Sequence, residues 1–327
     1  MTLTVVVVSY NTVDLLRECL QSVFAHVPAE GLQVVVVDNA SADASVQMVR
    51  DEFPQALMIA NEANVGYAAA VNQGLRAVAA DYALILNSDI EVRPGSVEEM
   101  QRVMAEDPEV GMAGPELVLP DGRVQETWGE GFSLGEFARQ QLMVDKVWRK
   151  RGGVQAPALQ PGALAYQEVA HLHGAALLVR GEALRDVGEL DEGYFMYCED
   201  SDWCLRLRRG GWKLAYVPGG RMMHHHGASS RQARAEMIAA YNLAAARYFR
   251  LHSGPLEGHT ARALGLAGTS LRFVGAMLGT VVTLALYEPL RRRARLFFKA
   301  LVLQKQWGER WLKGACVGEE TSVKREI

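Results

Sequence analysis

The sequence has few cysteines and lacks a long uninterrupted apolar run. Its four cysteines lie at positions 19, 198, 204 and 316 of 327, without the CxxC spacing of zinc ligands or redox pairs. A disulfide-stabilised mini-protein is therefore excluded, and reduced thiols in a cytosolic setting are expected. Positive charge is not in excess either, because the formal net charge is −4 at pH 7. Binding to nucleic acid is therefore not favoured.

The N-terminus also lacks the basic region and the cleavage site of a secretory signal. After Met1 the chain continues at once into residues 3–8, a run too short to cross a bilayer and rich in valine. Such a run is typical of a buried strand in a parallel sheet. We expect a cytoplasmic protein, either free or peripheral on the inner face of the cell membrane.

Short apolar runs alternate with segments of helical period through the first half of the chain. Strands are predicted at 3–8, 34–37, 57–60 and 83–86, and apolar residues recur every three or four positions between them. Because these strands are apolar on both faces, they indicate a parallel sheet covered by helices on both sides. The sequence predicts an α/β domain with a doubly wound, mostly parallel sheet, followed by helices from about residue 231 onwards.

Polar residues follow several of these strands directly. They are Asn11 after the first strand, Asp38 and Asn39 after the second, and Asn87 and Asp89 after the fourth. The carboxyl ends of parallel strands meet at one edge of a sheet, and open α/β sheets bind their ligands there. That edge is the expected site.

Each of these groups allows two interpretations. Asn87 and Asp89 point the same way from a strand and could hold a hard divalent cation, or they could form a turn ahead of Pro94. Asp38 could accept hydrogen bonds from a nucleoside, or it could belong to a turn in which Ser41 is the N-cap of the next helix. A dinucleotide site is disfavoured because no GxGxxG motif follows the first strand.

A glycine begins the third predicted helix. The segment runs from Asn64 through Gly66 and several alanines to Asn72. Glycine permits close approach to the backbone, and the N–H groups at a helix start favour an anion.

Two later clusters point to catalysis and to metal binding. The carboxylates Glu199, Asp200 and Asp202 fall within four residues. Some of them could cap the helix that follows, but one held near a hydroxyl would serve as a general base. Three histidines, from His224 to His226, follow a predicted strand and could ligate a metal at the same edge of the sheet.

An uncharged apolar segment, residues 273–287, lies in the C-terminal region. It is too short to span a bilayer comfortably, and it is followed by Arg291, Arg292, Arg293 and Arg295. A helix lying on an anionic membrane surface would have this composition. So would a helical hairpin packed on the core with a solvated basic end, and the sequence does not decide between them.

Taken in order, these motifs resemble the inverting nucleotide-sugar glycosyltransferases of family 2, which have the GT-A fold, and among them the rhamnosyltransferase-like enzymes of polysaccharide synthesis. The resemblance covers about residues 3–230. It predicts a glycosyltransferase domain over 1–230. The remaining residues, 231–327, are predicted to be helical from their pattern, and the apolar and basic composition within residues 260–300 is compatible with peripheral membrane contact. The matching motifs are VVSYN (7–11), DNASAD (38–43), NVGYA (64–68), LNSD (86–89), HGAA (173–176) and LDEGYFMYCEDSD (190–202).

The resemblance implies a donor, an acceptor and a metal. The donor would be a dTDP- or UDP-sugar, with dTDP-rhamnose as a specific candidate, and the acceptor a hydroxyl of a saccharide or lipid-linked saccharide. A bound Mg²⁺ or Mn²⁺ would assist the departure of the nucleoside diphosphate. Transfer would invert the anomeric carbon, with Asp200 as the general base.

Further roles are implied residue by residue. Asp89 corresponds to the last position of the family's metal-binding Asp-x-Asp motif, and His224 to its metal-contacting histidine, with His226 as a rival. Asn87 stands where that motif begins with Asp, so a lower metal affinity is implied. The residues implied in binding the donor are Asn11, Asp38, Asn39, Asn64, Gly66, Asn72 and Asn87.

Two other functions compete with this interpretation. A catalytically inactive subunit that binds a nucleotide sugar or serves as a scaffold would keep the same fold, although retention of Asp89, Asp200 and a histidine argues against it. A nucleotidyltransferase would share the sheet and the metal. That class usually needs a glycine-rich basic loop after the first strand, which residues 11–16 do not supply.

Overall fold

The centre of the fold is a mixed ten-stranded sheet, seen in a computed structural model that describes residues 2–144, 165–225, 234–283 and 287–312. The strands are β1 (Leu3–Ser9), β2 (Leu32–Asp38), β3 (Leu57–Ala60), β4 (Tyr82–Asn87), β5 (Ile90–Glu91), β6 (Val110–Val118), β7 (Val124–Gln125), β8 (Trp128–Gly129), β9 (Gln167–Val169), β10 (His171–Leu172), β11 (Ala176–Arg180) and β12 (Lys213–His224). The helices are α1 (Val13–His26), α2 (Ser45–Glu52), α3 (Tyr67–Ala77), α4 (Ser96–Glu106), α5 (Leu134–Gln141), α6 (Gly181–Val187), α7 (Glu199–Arg209), α8 (Arg234–His252), α9 (Pro255–Val282) and α10 (Glu288–Leu312).

The strands of this sheet lie in the order β3-β2-β1-β4-β11-β6-β12-β5, with β7 beside β6 and β9 beside β12. β1 pairs in parallel with β2 and β4, in a register that places Val5 beside Val34 and Leu84. β11 runs antiparallel to both β4 and β6. The predicted doubly wound, mostly parallel sheet is confirmed. The reversed β11 brings its N-terminal end to the edge where β4 ends.

Alternation along β1 divides its side chains between the two faces of the sheet. Val5 and Val7 pack in one hydrophobic core with α1 and α4, whereas Val6 and Val8 pack in a second core with α3 and α7. Trp203 of α7 is fully buried in that second core. Because helices cover both faces of the sheet, the central strands appear in the sequence as continuous apolar runs.

Helices α8, α9 and α10 pack on one another, α9 also contacts α5, and a third hydrophobic core forms there. Phe132 and Phe137 contact Phe249 of α8, with ring centroids 5.1 Å and 6.3 Å apart. Tyr194, from the segment that precedes α7, is buried in the same core. The C-terminal helices therefore cover the segment that leads to the predicted general base.

A buried polar cluster lies between these helices. The side-chain nitrogen of Asn242 in α8 lies 3.2 Å from the carbonyl oxygen of Gly265, 3.1 Å from the hydroxyl of Thr269 and 3.0 Å from the side-chain oxygen of Gln304. Its side-chain oxygen accepts a hydrogen bond from Gln141 of α5 (3.0 Å). This Asn242 cluster joins four helices at one amide, which fixes their relative register because buried polar groups must be satisfied.

Candidate functional site

The first part of the site is a network of polar groups where β1 and β2 end. Asp38 is buried, and it accepts hydrogen bonds from the main-chain N–H of Ser41 (2.8 Å) and from the Ser41 hydroxyl (2.6 Å). That hydroxyl accepts from the main-chain N–H of Asn11 (2.8 Å), whose side-chain oxygen accepts from the N–H of Ala42 (2.7 Å). The two strand ends are thereby held together around Asp38.

The prediction that Ser41 caps α2 is wrong. That helix begins at Ser45, and Asp43 accepts hydrogen bonds from the main-chain N–H (3.0 Å) and the hydroxyl (2.5 Å) of Ser45. The physical reason is that the Ser41 hydroxyl is already engaged by Asp38. Asp38 and the helix start therefore have separate hydrogen-bonding partners.

The network continues to the start of α3. The side-chain nitrogen of Asn39 donates to the carbonyl oxygen of Gly66 (3.1 Å), and the side-chain oxygen of Asn64 accepts from the Gly66 N–H (3.0 Å). Gly66 has φ +89°, and a Cβ at this position would lie 2.6 Å from the carbonyl oxygen of Phe195. A glycine is therefore required there. The residues referred to below as the β2 side are Asn11, Asp38, Asn39, Asn64 and Gly66.

Asn72, predicted to lie in the donor pocket, has its side chain fully engaged inside the protein. It is buried in α3, donates to the carbonyl oxygen of Leu190 (2.8 Å) and accepts from the Leu190 N–H (3.1 Å). A further hydrogen bond runs from Asn72 to Glu192 (3.0 Å). These contacts attach α3 to the loop at 190–192, and direct contact of Asn72 with a donor stays a prediction.

Asp89 and His224 lie side by side. β5 pairs antiparallel with β12 in a register that places Ile90 beside His224. As a result, His224 Nε2 lies 3.3 Å from Asp89 Oδ1, and the main-chain N–H of His225 donates to the carbonyl oxygen of Asp89 (2.9 Å). His224 Nδ1 lies 2.7 Å from Oε1 of Gln125. His226, the rival ligand, lies outside the described residues.

The Asp89–His224 pair fits a divalent cation. Because Oε1 of Gln125 can only accept, Nδ1 of His224 donates to it, and Nε2 is the ring atom that faces the Asp89 carboxylate. These two groups repel each other unless a proton or a cation lies between them. Two oxygen or nitrogen ligands about 2.1 Å from one octahedral ion are roughly 3 Å apart, which is close to the separation found here. Ligating histidines also commonly donate their other N–H to such a partner.

Asn87 lies where β4 meets the reversed strand. It ends β4, and its main-chain N–H donates to the carbonyl oxygen of Ala175 (2.9 Å), directly before β11. The residues 173–175 are consequently held against the end of β4, two positions from Asp89. An antiparallel β11 is required for this contact.

Asp200 lies in the first turn of α7 and faces those same residues. Its Oδ2 accepts from the main-chain N–H of Gly174 (3.0 Å), and its Oδ1 accepts from the N–H of Ser201 (2.7 Å). His171 Nε2 lies 3.9 Å from Asp200 Oδ1 and 3.0 Å from the Ser201 hydroxyl. The residues referred to below as the α7 side are His171, His173, Gly174, Glu199 and Asp200.

The two adjacent carboxyls of the α7 side differ in pKa. Burial, and then the charge of Asp200, raise the pKa of Glu199 to about 8. Burial also acts to raise the pKa of Asp200, but interactions with His171 and His173 outweigh it and hold that pKa below the usual range of an aspartic acid. At neutral pH Asp200 is therefore ionised, as a base must be, while Glu199 is mostly protonated.

Two side-chain contacts fasten α8 to α7 and to the segment that precedes it. Arg247 donates to Asp191 through Nη2 (2.7 Å) and Nε (3.0 Å). His252 Nε2 lies 2.6 Å from Asp202 Oδ1, and Arg206 donates to the other oxygen of Asp202 (2.8 Å). These two contacts of α8, Arg247–Asp191 and His252–Asp202, are referred to as the α8 clamp. Asp202, one of the three clustered acids, is thus a structural partner of α8.

The clamp holds a strained turn in place. Tyr197 (φ +72°) and Cys198 (φ +63°) are successive left-handed residues immediately before α7. Each costs on the order of 1 kcal/mol relative to ordinary backbone. Cys198 is buried in the third hydrophobic core together with α8, so packing stabilises the turn that aims Asp200.

Tyr67 connects the β2 side with the α7 side. Its hydroxyl donates to the carbonyl oxygen of Gly174 (2.9 Å), and its main-chain N–H donates to that of Phe195 (2.7 Å). Burial raises the pKa of Tyr67 well above its ordinary value, and the charges of Glu199, Asp200 and Asp89 add to the effect. One phenol is therefore within electrostatic reach of both the Asp89 and the Asp200 carboxylates.

A second group of possible metal ligands lies on the α7 side. Ligand atoms of His171, His173 and Asp200 all lie within 4.8 Å of one another. A cation bound there would occupy a carboxylate that could not then accept a proton. Ligation by Asp200 and general-base catalysis by Asp200 are therefore mutually exclusive.

Sequence reasoning missed several of these residues. Gln125, beside His224, belongs to a two-residue strand that has no periodic pattern, so no signal identified it. Tyr67 stood within a recognised motif without an assigned role. His171 shares a two-residue strand with Leu172, and the only signal was the concentration of histidines between 171 and 226.

Comparison with known families gives two overlapping matches. The profile described as "Glycosyl transferase family 2" matches residues 4–154. The profile described as "Glycosyl transferase family group 2" matches residues 82–307, more than half of the chain. Between them they cover both sides of the site and reach into α10.

Two curated relatives come from Mycobacterium tuberculosis. One is named N-acetylglucosaminyl-diphospho-decaprenol L-rhamnosyltransferase and is 29% identical over 251 residues, which cover 73% of this chain and 81% of the relative. The other is named pre-mycofactocin glycosyltransferase and is 30% identical over 228 residues, which cover 68% of this chain and 42% of the relative.

Solved structures share the fold. The mannosyltransferase PcManGT from Pyrobaculum calidifontis, in complex with GDP-Man and Mn²⁺, superposes with a TM-score of 0.52 at 20% identity, covering 94% of this chain and 87% of that one. S. aureus TarS in complex with UDP gives a TM-score of 0.50 at 14% identity, covering 96% and 92%. At these identities the likeness shows the GT-A fold.

Proposed function

The chain belongs to glycosyltransferase family 2, and from that membership we propose that it moves a sugar from a nucleoside-diphosphate sugar to a hydroxyl of a lipid-linked saccharide, with inversion. A dTDP- or UDP-sugar is the proposed donor, with dTDP-rhamnose the first candidate. The name of the 29%-identical relative, a rhamnosyltransferase that acts on a diphospho-decaprenol substrate, supports this choice. The proposed location is the cytoplasmic face of the cell membrane, with contact through residues 260–300.

One observation carries the proposal: the Asp89–His224 pair and the ionised carboxylate of Asp200 lie around one tyrosine, Tyr67. Asp89 and His224 occupy the edge beyond β4. Asp200 is hydrogen-bonded to Gly174, which also accepts from Tyr67. A diphosphate held at the first position and a hydroxyl held at the second would be neighbours, as a direct displacement requires.

Asp200 is the proposed general base. Its carboxylate is ionised at neutral pH and can therefore accept the proton of the acceptor hydroxyl. As that oxygen forms its bond to the anomeric carbon, the bond from that carbon to the diphosphate oxygen breaks. The electron pair leaves with the nucleoside diphosphate. A single displacement with one base inverts the anomeric configuration.

Asp89 and His224 are the proposed metal ligands. Mg²⁺ or Mn²⁺ bound there would offset the charge that develops on the leaving diphosphate. Gln125 holds the His224 ring in the tautomer that presents Nε2. Asn87, next to this pair in the chain, is proposed to contact the donor phosphates.

The β2 side is proposed to bind the nucleoside. Asp38 uses each carboxylate oxygen for one hydrogen bond to Ser41, which leaves acceptor capacity for a ribose hydroxyl or a ring N–H. Asn11 and Asn39 flank it at the same strand ends. Gly66 at the start of α3 allows the donor to approach the backbone closely.

The test is a screen of the full chain with UDP-, dTDP- and GDP-sugars, each with and without Mn²⁺. Thermal shift identifies the donor, and product formation with a lipid-diphosphate saccharide then measures transfer. Metal-dependent transfer with an inverted product supports the proposal. Donor binding without transfer by any donor favours an inactive binding subunit. Pyrophosphate release from a nucleoside triphosphate and a sugar phosphate favours a nucleotidyltransferase.

A further inference from the structure

Helix α9 is packed into the protein mainly up to residue 272, although Ala276 further along is also buried. The buried residues of the part up to residue 272 include Ala261, Gly265, Gly268 and Thr269, which face α8 and its neighbours. Arg272 ends this part, because its guanidinium donates to the carbonyl oxygens of Gln140 (2.8 Å) and Gln141 (3.1 Å) at the C-terminal end of α5. The helix is therefore fastened to the body of the protein up to residue 272.

Beyond residue 272 the surface of α9 is apolar and exposed. Leu278 is 62% exposed, Val281 66% and Val282 80%. Other exposed apolar residues of the same region are Val274, Met277, Tyr287 and Phe298. Leu256, at the opposite end of α9, is also exposed. A contiguous apolar surface of this kind marks a contact with another apolar phase.

α9 and α10 form a hairpin whose end carries this surface. Phe273 and Phe298 are in contact, with ring centroids 5.9 Å apart, and a Cβ on Gly279 would lie 2.9 Å from Leu290. The two helices thus run back along each other on either side of residues 283–287. The exposed apolar residues of 273–282, together with Tyr287 and Phe298, are referred to as the hairpin tip.

The hairpin tip is bordered by positive charge. The exposed arginines are Arg291, Arg292, Arg293 and Arg295, in the first two turns of α10. Glu288 pairs with Arg292 (2.6 Å), and the other three arginines remain in excess over acidic residues in this segment. Exposed apolar side chains complement the acyl chains of an anionic bilayer, and the neighbouring arginines complement its headgroups.

α9 is also the one helix among the described residues that is long and apolar enough to cross a membrane. Up to residue 272 this helix is held against α5 and α8, so in this fold it lies on the body of the protein. Arg291 to Arg295 lie alongside residues 273–279, because Gly279 packs on Leu290 and Phe273 on Phe298, and a hairpin pointing into the bilayer would carry these charges into the hydrocarbon. We propose that the hairpin tip lies along the surface of an anionic bilayer and inserts its exposed apolar side chains into one leaflet as a monotopic anchor, without spanning it.

This membrane contact extends the proposed function, because it would bring the site close to a lipid-linked acceptor. The evidence for the contact, however, is the exposed apolar and basic surface described above. Vesicle binding is measured without donor or acceptor, so a failure of the anchor leaves the transfer reaction untouched. A protein that binds vesicles yet transfers no sugar would equally leave the anchor standing.

The experiment is co-sedimentation of the full chain with vesicles of phosphatidylglycerol and phosphatidylcholine, compared with phosphatidylcholine alone. The double variant Val281→Asp/Val282→Asp should weaken binding at least about tenfold, because two exposed apolar residues of the tip become charged. Arg291→Ala and Arg293→Ala should each weaken binding to anionic vesicles about fivefold. Leu256→Asp, equally exposed on the same helix, is the matched control and should bind like the original chain.

Insertion depth separates an anchor from a span. An environment-sensitive fluorophore on Val282→Cys should brighten with vesicles, and one on Leu256→Cys should not. The described native cysteines are buried, and Cys316→Ser removes the remaining thiol. Brightening at both positions would overturn the monotopic arrangement. Unchanged vesicle binding by the Val281/Val282 variant, or a solution dimer that this variant dissociates without any vesicle binding, would overturn the membrane contact itself.

Discussion

The two sides of the site are built in different ways. On the β2 side, Asp38, Ser41 and Asn11 hydrogen-bond to one another where two adjacent strands end. On the α7 side, Asp200 is positioned by a strained turn that depends on α8, whose clamp residues lie some fifty positions further along the chain. The first side is therefore a product of local sequence and strand pairing, and the second a product of tertiary packing.

This difference should appear in how each side of the site responds to amino-acid substitution. The β2 side has the support of the central sheet, so substitution of its polar side chains should affect mainly the binding of the donor. The α7 side stores backbone strain that α8 must hold. Changes in α8 should therefore affect Asp200, the proposed general base, without contacting it, and the following variants test that contrast.

Asp200→Asn should give the largest effect. We expect turnover to fall at least about a hundredfold, because the amide cannot accept the proton, while donor affinity stays unchanged. Asp38→Asn is the matched variant on the β2 side and should raise the KM for the donor with a smaller effect on kcat. The measurement is steady-state kinetics with donor binding by calorimetry. Equal kcat for Asp200→Asn and the original chain would remove Asp200 from its role.

Gly66→Ala should damage the contact that joins the two sides. A Cβ there meets the carbonyl oxygen of Phe195 at 2.6 Å, and the backbone has φ +89°. We expect a loss of about 3 kcal/mol in the free energy of unfolding by urea. Gly95→Ala has a similar positive φ with open space around it and should cost about 1 kcal/mol. Similar losses in both variants would mean that the close approach to Phe195 is unimportant.

Arg247→Ala should loosen the α7 side from a distance. It removes two hydrogen bonds from the guanidinium to Asp191 and a cation–π contact with Tyr194 (5.3 Å). The expected cost is about 2 kcal/mol in the free energy of unfolding. We expect kcat to fall while the KM for the donor is unchanged. Arg102→Ala, which removes exposed contacts in α4, should leave both the melting temperature and kcat as they are. A rise in donor KM alone would contradict the division into two sides.

His224→Ala should weaken Mn²⁺ binding at least about tenfold in calorimetric titration, because it removes a ligand at the edge of the sheet. His171→Ala should leave Mn²⁺ affinity unchanged and lower kcat through the orientation of Asp200. The reverse result, with metal affinity lost only in His171→Ala, would place the cation on the α7 side. Asp200 would then be a ligand, and the general base would have to be sought elsewhere.

The fold and the β2 side could be predicted because their determinants are local. Asp38 and Asp89 each stand at or just beyond the end of a short apolar strand, and adjacent strand ends share one edge. The direction of β11 could not be predicted, because buried parallel and antiparallel strands are equally apolar. The contact of residues 173–175 with β4 follows from that direction and was therefore beyond the sequence pattern.

The supports of Asp200 could not be predicted for a different reason. Arg247 and His252 look like ordinary polar positions of a surface helix, and only tertiary packing turns them towards Asp191 and Asp202. Ser41 shows the same limit at short range. Its position matched a helix cap, but a nearer acceptor, Asp38, engaged its hydroxyl. A local pattern identifies possible partners without deciding among competitors.

The Asn242 cluster has a consequence for anyone who would build chimaeras in this family. Gln141 contributes one of its hydrogen bonds from α5, so a transplant of α8–α10 alone would sever the cluster at a buried amide. A donor segment from a relative would have to bring its own counterpart of α5. The unit that can be exchanged between enzymes is thus discontinuous in the sequence, although its parts are contiguous in space.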